Sequence, residues 1–194
     1  MTTRVAQKPL PVLTGPRVIV RLASEQDIIG IIDYFQRNAA HLSRFATPLP
    51  PVTYEESHWS AQVSKAMSEF QQDRSCRFFM FERENDTCPI GVINFFCFLR
   101  GHFHGCILGY NVDAGYEGRG YMYEGLSLGV DYVFKKLNMH RIMANCAPWN
   151  LRSARLLNRL GFRPEGYARE YLMVSGEWQD HVLNSLTNRD WQPQ

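Results

Sequence analysis

The chain of 194 residues reads as a single mixed α/β domain, and three observations predict it. Strand-like and helix-like stretches follow one another in the order β, α, α, three β, α, β, α, β, β. Helices return between strands only in parts, which excludes a doubly wound parallel sheet. The middle of the chain holds three consecutive extended runs with short polar turns between them, as in an antiparallel meander. A composition 45% hydrophobic and 21% charged is that of a globular protein, and this length buries a full core in one domain.

Residues 1–16 carry three prolines and no periodicity, so they are expected to form an irregular arm before a domain spanning 17–190. Arg17 to Leu22 alternates apolar and polar residues, a first strand. Ser24 with Asp27 is a weak capping box opening a helix to about Asn38, and Thr53 with Glu56 repeats that signature for a helix to about Gln72. Arg77–Glu82 and Ile90–Leu99 are strands joined by a turn at Asn85 and Asp86; a turn near Gly101 leads to a strand from His104 to Val112. Met122, Leu126, Val130, Val133, Phe134 and Leu137 recur at a helical period. His140–Cys146 is the next strand. Asn150 opens a short helix ended by Gly161, and strands at 165–174 and 178–186 turn at Ser175-Gly176.

A net charge of +2 gives no dedicated nucleic-acid surface. No apolar stretch reaches transmembrane length, and the first thirty residues lack a signal-peptide core. Cys76, Cys88, Cys97, Cys106 and Cys146 are odd in number and never spaced C-x-x-C, a pattern of reduced thiols. The expectation is a cytoplasmic protein with neither a membrane nor a direct nucleic-acid partner. His102 and His104 bracket Phe103, but no third ligand follows at a helpful spacing, so no metal site is expected.

Gly115-Tyr-Glu-Gly-Arg-Gly-Tyr121 lies between a strand and a helix. Such a turn leaves backbone N–H groups free at the positive end of a helix, an arrangement that binds phosphate. A P-loop would need Gly-Lys-Ser/Thr, and a dinucleotide fingerprint would need Gly-x-Gly-x-x-Gly; here the spacing is reversed, Gly115-x-x-Gly118-x-Gly120. Neither nucleotide motif fits.

With Asn150-Leu-Arg-Ser153 and Gly161-Phe162 downstream, this order of strand, glycine turn, helix and strand resembles the GNAT family of acyl-CoA N-acyltransferases. That family writes its phosphate loop Arg/Gln-x-x-Gly-x-Gly/Ala and its later signature Asn-x-x-Ser/Ala followed by Gly-Phe. Gly115 stands at the Arg/Gln position, a departure of small weight where backbone donors do the binding. Further stretches at 103–110, 140–145, 157–162 and 176–182 resemble the ribosomal-protein alanine N-acetyltransferases. The resemblance implies a GNAT fold, a central mostly antiparallel sheet splayed at the CoA-binding strand and flanked by helices. It implies acetyl-CoA as acetyl donor and, as acceptor, the N-terminal alanine of small-subunit ribosomal protein five, met free, on the ribosome or in its assembly intermediates.

The resemblance also implies roles. The pantetheine arm of CoA would run along Leu108, Gly109, Tyr110, Asn111 and Val112, and its pyrophosphate would meet the amides of Glu117, Gly118, Arg119, Gly120 and Tyr121. On charge alone Glu117 is expected to turn its carboxylate away; Arg152, Arg155 and Arg159 are read as a solvated helix face, with contact of one of them to the CoA phosphates as the alternative. Asn150 would contact the CoA arm, and Ser153 would stabilise or protonate the departing thiolate. The proton acceptor is left between Glu170 and His104; related enzymes carry a glutamate where this chain has Leu172, which strand periodicity sets on the same face as Glu170. Acceptor recognition is expected from the first two helices, the region around Arg44–Pro51 and the hairpin near Trp178–His181; Tyr34, Phe35, Phe45, Trp59 and Tyr171 are candidate walls, most of them expected to be core. Two other readings stay open: acetylation of a small amine such as an antibiotic or polyamine, and a CoA-binding or ribosome-associated module without turnover.

Overall fold

Alternating burial along the strands builds one eight-stranded sheet in the computed structural model, which describes residues 8–193. The strands are β1 (Val12–Thr14), β2 (Val18–Leu22), β3 (Cys76–Glu82), β4 (Asn85–Leu99), β5 (Gly105–Val112), β6 (Arg141–Cys146), β7 (Arg163–Val174) and β8 (Glu177–Thr187). The helices are α1 (Ile28–Arg37), α2 (Ala39–Leu42), α3 (Glu56–Gln71), α4 (Tyr121–Lys135) and α5 (Leu151–Arg159). Spatial order is β1-β2-β3-β4-β5-β6-β8-β7. All neighbours are antiparallel except β5 and β6, which are parallel. A parallel pair cannot be closed by a hairpin, so the glycine turn and α4 serve as its crossover.

Both faces of the sheet are covered. Phe78 and Met80 of β3 join Ile93, Phe95, Leu108 and Ile142 under α4 and α5. Phe79 and Phe81, on the opposite pleat, pack with Ile31, Tyr34, Phe35 and Trp59 of α1 and α3. The expected face of α4 is buried at Met122, Leu126 and Val133, whereas Val130 and Phe134 only flank the core. The contact itself is made through glycines: a side-chain carbon on Gly125 would lie 2.5 Å from Met80 Sδ, and one on Gly129 3.0 Å from Phe95. Small residues thus let the crossover helix lie close on the sheet.

Three expectations change. The proline-rich arm is not irregular throughout, because Val12–Thr14 pairs with β2 as an edge strand; residues 1–7 lie outside the described residues. Thr53 does not cap α3: it sits in a 3-10 turn (Pro51–Tyr54) whose Thr53 carbonyl accepts the Trp59 indole N–H at 2.8 Å, and α3 starts after Glu55. The β3–β4 turn is Arg83-Glu84, so Asn85 and Asp86 already belong to β4.

Ser24 and Asp27 do form the capping pair. Asp27 accepts the Ser24 amide at 2.7 Å and the Ser24 hydroxyl at 2.8 Å, and its two oxygens take a bidentate Arg21 fork at 2.7 Å each. Burial alone would raise the Asp27 carboxyl, but the hydrogen bonds from Arg21 and Ser24 outweigh it and hold it below its ordinary value of 3.8. A depressed carboxylate stabilises the fold above the unfolded value and loses that contribution as pH falls through the folded one. Asp27→Ala is expected to cost about 3 kcal/mol at neutral pH, roughly 6–12 °C in the thermal midpoint, by leaving Arg21 unpaired. Thermal unfolding of both proteins at neutral pH and below pH 3.8 checks this; the gap should shrink in acid, and an equal gap at both would remove the charge from the account.

Candidate active site

The parallel strands β5 and β6 pair only from Gly105–Arg141 to Ile107–Met143. Beyond that point β5 stays with β4 (Leu108↔Phe95 to Val112↔Gly91), and β6 stays with β8 (Ala144↔Asn184, Cys146↔Val182). The inner edges separate, and among the described residues the peptide groups of Leu108–Val112 on that side have no strand to bond. A cleft of about 670 Å³ opens there. Its walls include Leu108, Gly109, Tyr110, Asn111, Val112, Glu117, Gly118, Gly120, Asn150 and Ser153, so most of the residues assigned to the cofactor converge.

The glycine turn sits at one end of the cleft. Gly118 and Gly120 adopt positive φ of 70° and 82°, which turns the chain into α4. Among the described residues, the backbone amides from Gly118 to Tyr123 have no acceptor. They form a row of donors at the start of a fifteen-residue helix. Arg119 and Tyr121 do not line the cleft: the Arg119 guanidinium lies over the Tyr116 and Tyr121 rings and donates to the Gly115 carbonyl at 3.3 Å, and the Tyr121 hydroxyl donates to Glu82 at 3.1 Å.

Two carboxylates anchor this turn. Asp113 accepts from Arg37 Nε and Asn38 Nδ2 at 2.8 Å each, and from the Gly115 amide at 2.8 Å. Burial pushes its carboxyl up, but the Asn38 and Arg37 hydrogen bonds prevail and keep it below the usual range. Glu124 takes the Arg17 amide at 2.7 Å and Arg17 Nε at 2.8 Å. Glu117 is directed to α2 and α5, lying 3.7 Å from His41 Nε2 and ion-paired with Arg152. Arg152, Arg155 and Arg159 are all exposed, as expected of a solvated helix face, and the same face borders the cleft; Arg159 stacks 3.9 Å over the Tyr123 ring.

At the middle of the cleft, the Tyr110 hydroxyl and Ser153 Oγ lie 2.7 Å apart. Asn150 caps α5 by accepting the Ser153 amide at 3.1 Å, which fixes the hydroxyl at the first turn of that helix. Burial, only partly offset by the Ser153 hydrogen bond, pushes the Tyr110 phenol up to about 12. Cys146, at the end of β6, is also raised by burial.

His41, Phe45, Asn145, Trp149, Gln179 and His181 also line the cleft. Phe45 and Trp149 stack at 5.8 Å, and Trp149 is 54% exposed at the mouth. Asn145 Nδ2 donates to the Tyr171 hydroxyl at 3.1 Å. The hairpin tip meets the loop after α2 where the Ser175 amide donates to Thr47 Oγ1 at 3.1 Å. Of the expected aromatic walls, Phe45 lines the cleft and Tyr171 bonds to a lining residue. Tyr34, Phe35 and Trp59 are core, although the Tyr34 hydroxyl holds Asn111 Oδ1 at 2.6 Å.

Neither expected proton acceptor reaches the cleft. His104 packs on Trp191 at 5.0 Å, before β5 begins and at its far end from the glycine turn. Glu170 is exposed in a β7 bulge with φ 47°, where its amide donates to Asp180 at 2.8 Å. The bulge breaks the alternation that would have grouped Glu170 with Leu172. The residues not anticipated individually are Trp149, His181 and the Tyr110 side chain. Trp149 precedes the Asn150 cap, and that position was its one sequence signal; His181 and the Tyr110 hydroxyl are brought in by strand register.

Comparison with known proteins agrees with this geometry. The model of the acetyltransferase (GNAT) domain matches residues 17–163. The [ribosomal protein uS5]-alanine N-acetyltransferase of Escherichia coli K12 is 40% identical over 186 residues, covering 93% of each chain. Among solved structures, the ribosomal-protein-S5-alanine acetyltransferase of Vibrio fischeri superposes with a TM-score of 0.89 at 31% identity, covering 94% of this chain and all of that one. Mycobacterium smegmatis RimJ, solved in complex with CoA-disulfide, superposes with a TM-score of 0.82 at 27% identity, over 97% and 89% of the two chains. With its strand divergence, bare amides and matching domain model, the chain belongs to the GNAT acetyltransferase family.

Proposed function

We propose that this enzyme transfers the acetyl group of acetyl-CoA to the N-terminal α-amine of a ribosomal protein, the alanine of small-subunit protein five. The observation that carries the reading is the continuous path from the unpaired edge of Leu108–Val112 to the free amides of Gly118–Tyr123. An extended pantetheine arm bonds to such an edge as a further strand would, and a pyrophosphate matches the amide row. Arg152, Arg155 and Arg159 add positive charge at that end. Acetyl-CoA supplies the activated acyl group; positioning and charge stabilisation fall to the protein.

Ser153 then donates a hydrogen bond to the departing sulfur. A thiol ionises near 8.5, below the Tyr110 phenol at about 12. The Ser153–Tyr110 pair therefore stays protonated and stabilises a thiolate more readily than it gives up a proton. The acceptor wall weighs against a polycationic amine. Glu117 is the one carboxylate among the lining residues, and it is already ion-paired with Arg152. The stack of half-buried Phe45 on exposed Trp149 suits the start of a polypeptide instead. In this reading the protein works in the cytoplasm, on ribosomal protein five free or within assembly intermediates.

Incubation with acetyl-CoA and a peptide copying that N-terminus should add one acetyl group at the α-amine by mass spectrometry; spermidine as acceptor should give far less product, and the reverse order would sink the reading. Ser153→Ala should lower kcat about 10²-fold while CoA affinity, read by calorimetry, changes little. Gly118→Val places a β-branched residue at φ 70° with no atom within 4 Å to clash. The fold should survive while the strained turn loses roughly tenfold or more in CoA affinity; unchanged affinity would show that the turn does not carry the phosphates.

A further inference from the structure

The acetyl transfer needs a proton acceptor, and neither Glu170 nor His104 reaches the cleft. Two imidazoles do, His41 and His181. Their free nitrogens distinguish them. His41 Nε2 is 3.7 Å from Glu117 Oε1, and the same carboxylate is paired with Arg152 at the phosphate end. His181 has the opposite arrangement. Its Nδ1 lies 3.1 Å from the Gln179 carbonyl oxygen. A carbonyl only accepts, so Nδ1 carries the hydrogen in this contact, which in the neutral ring leaves the lone pair on Nε2. Among the described residues, Nε2 has no hydrogen-bond partner.

Register sets this ring on the acceptor side. Val182 is paired with Cys146, and Leu183 with Asn145. Alternation therefore puts His181 on the pleat of Asn145, opposite the pleat of Cys146. Asn145 holds the Tyr171 hydroxyl, and the Tyr171 ring is 5.7 Å from the His181 ring. His181 is only 7% exposed, so one edge is packed while the other borders the cleft. The titratable groups around it are Tyr171 on β7, Asp180 beside it on β8 and Cys146 at the end of β6, with His41 and Glu117 also lining the cleft. Asp180 is occupied by the Tyr167 hydroxyl at 2.6 Å and the Glu170 amide at 2.8 Å.

We infer that His181 is the catalytic residue that accepts the proton of the acceptor amine through Nε2, an inference that rests on the acetyltransferase reading above. The amine nitrogen's electron pair forms the new N–C bond at the thioester carbonyl, and the C–S bond breaks with its pair leaving on sulfur. One amine proton passes to His181 Nε2, the sulfur is held as thiolate by Ser153, and the imidazolium returns its proton to solvent or to the thiolate as CoA departs. The Gln179 carbonyl stabilises the imidazolium, because Nδ1–H donates to it more strongly once the ring is charged.

The test is His181→Asn, whose side-chain N–H can still donate to Gln179 but which offers no base. With an N-terminal alanine peptide, kcat should fall about 10²-fold at neutral pH with KM within about threefold. The deficit should narrow above about pH 8, where the α-amine is already neutral. His181→Gln should give the same signature. A deficit that stays constant across pH, full activity, or transfer of the signature to His41→Gln would overturn the assignment. Nitrogen NMR of the unaltered protein supplies an independent measurement: the neutral ring should carry its proton on Nδ1, and an Nε2-protonated ring would overturn it. If the unaltered enzyme acetylates no peptide at all, the function proposed above fails, and the assignment fails with it.

Discussion

Everything at this site depends on the parting of two parallel strands after three residue pairs. An unbonded strand edge inside a sheet is costly unless something else satisfies it, so the gap must be held open by what lies outside it. Each strand is held by its other neighbour: β4 keeps β5 through Val112, and β8 keeps β6 through Cys146. The crossover helix lies under the sheet through Gly125 and Gly129, and α5 begins where β6 has ended. Ser153 on α5 then faces Tyr110 on β5, which makes the hydroxyl pair a measure of how wide the gap is.

The second constraint is electrostatic and local to the glycine turn. A row of bare amides repels itself, and two carboxylates at its flanks hold it in shape. Asp113 fastens the end of β5 to Arg37 and Asn38 of the α1 end, while Glu124 fastens the first turn of α4 to Arg17 before β2. Acidic groups near a helix start also favour its dipole. Their oxygens are consumed by Arg37, Asn38 and Arg17, leaving the amides of Gly118–Tyr123 free for an anion. Glu117, committed to Arg152 and near His41, adds no unpaired charge to that surface.

The sequence was informative where chemistry is local and silent where register decides. The glycine turn, the Asn150 cap, Ser153 and the Gly161-Phe162 end of α5 are contiguous patterns, and their spacing survives folding unchanged. Counting by twos along β7 failed because Ala168 pairs with His181 and Leu172 with Gln179, so four steps on one strand match two on the other. That bulge turns Glu170 out and leaves Tyr171 beside Asn145. His181 lies in the 176–182 stretch and in the hairpin expected to meet the acceptor, but nothing there singles out its ring; its position comes from an antiparallel register to β6, a strand more than thirty residues earlier in the chain. The arginines of α5 are the exposed face that the helical period predicts; what the period could not tell is that this face also borders the cleft.

The bond between the Ser175 amide and Thr47 joins the β7–β8 turn to the loop after α2, on the side where Phe45, Trp149 and His181 lie. The two walls of the acceptor side are thereby tied across a span of 128 residues in sequence. Such a tie makes the spacing of these two segments a property of tertiary structure. Neither loop can move away from the other without breaking that bond, so the acceptor side is shaped by both ends of the chain together.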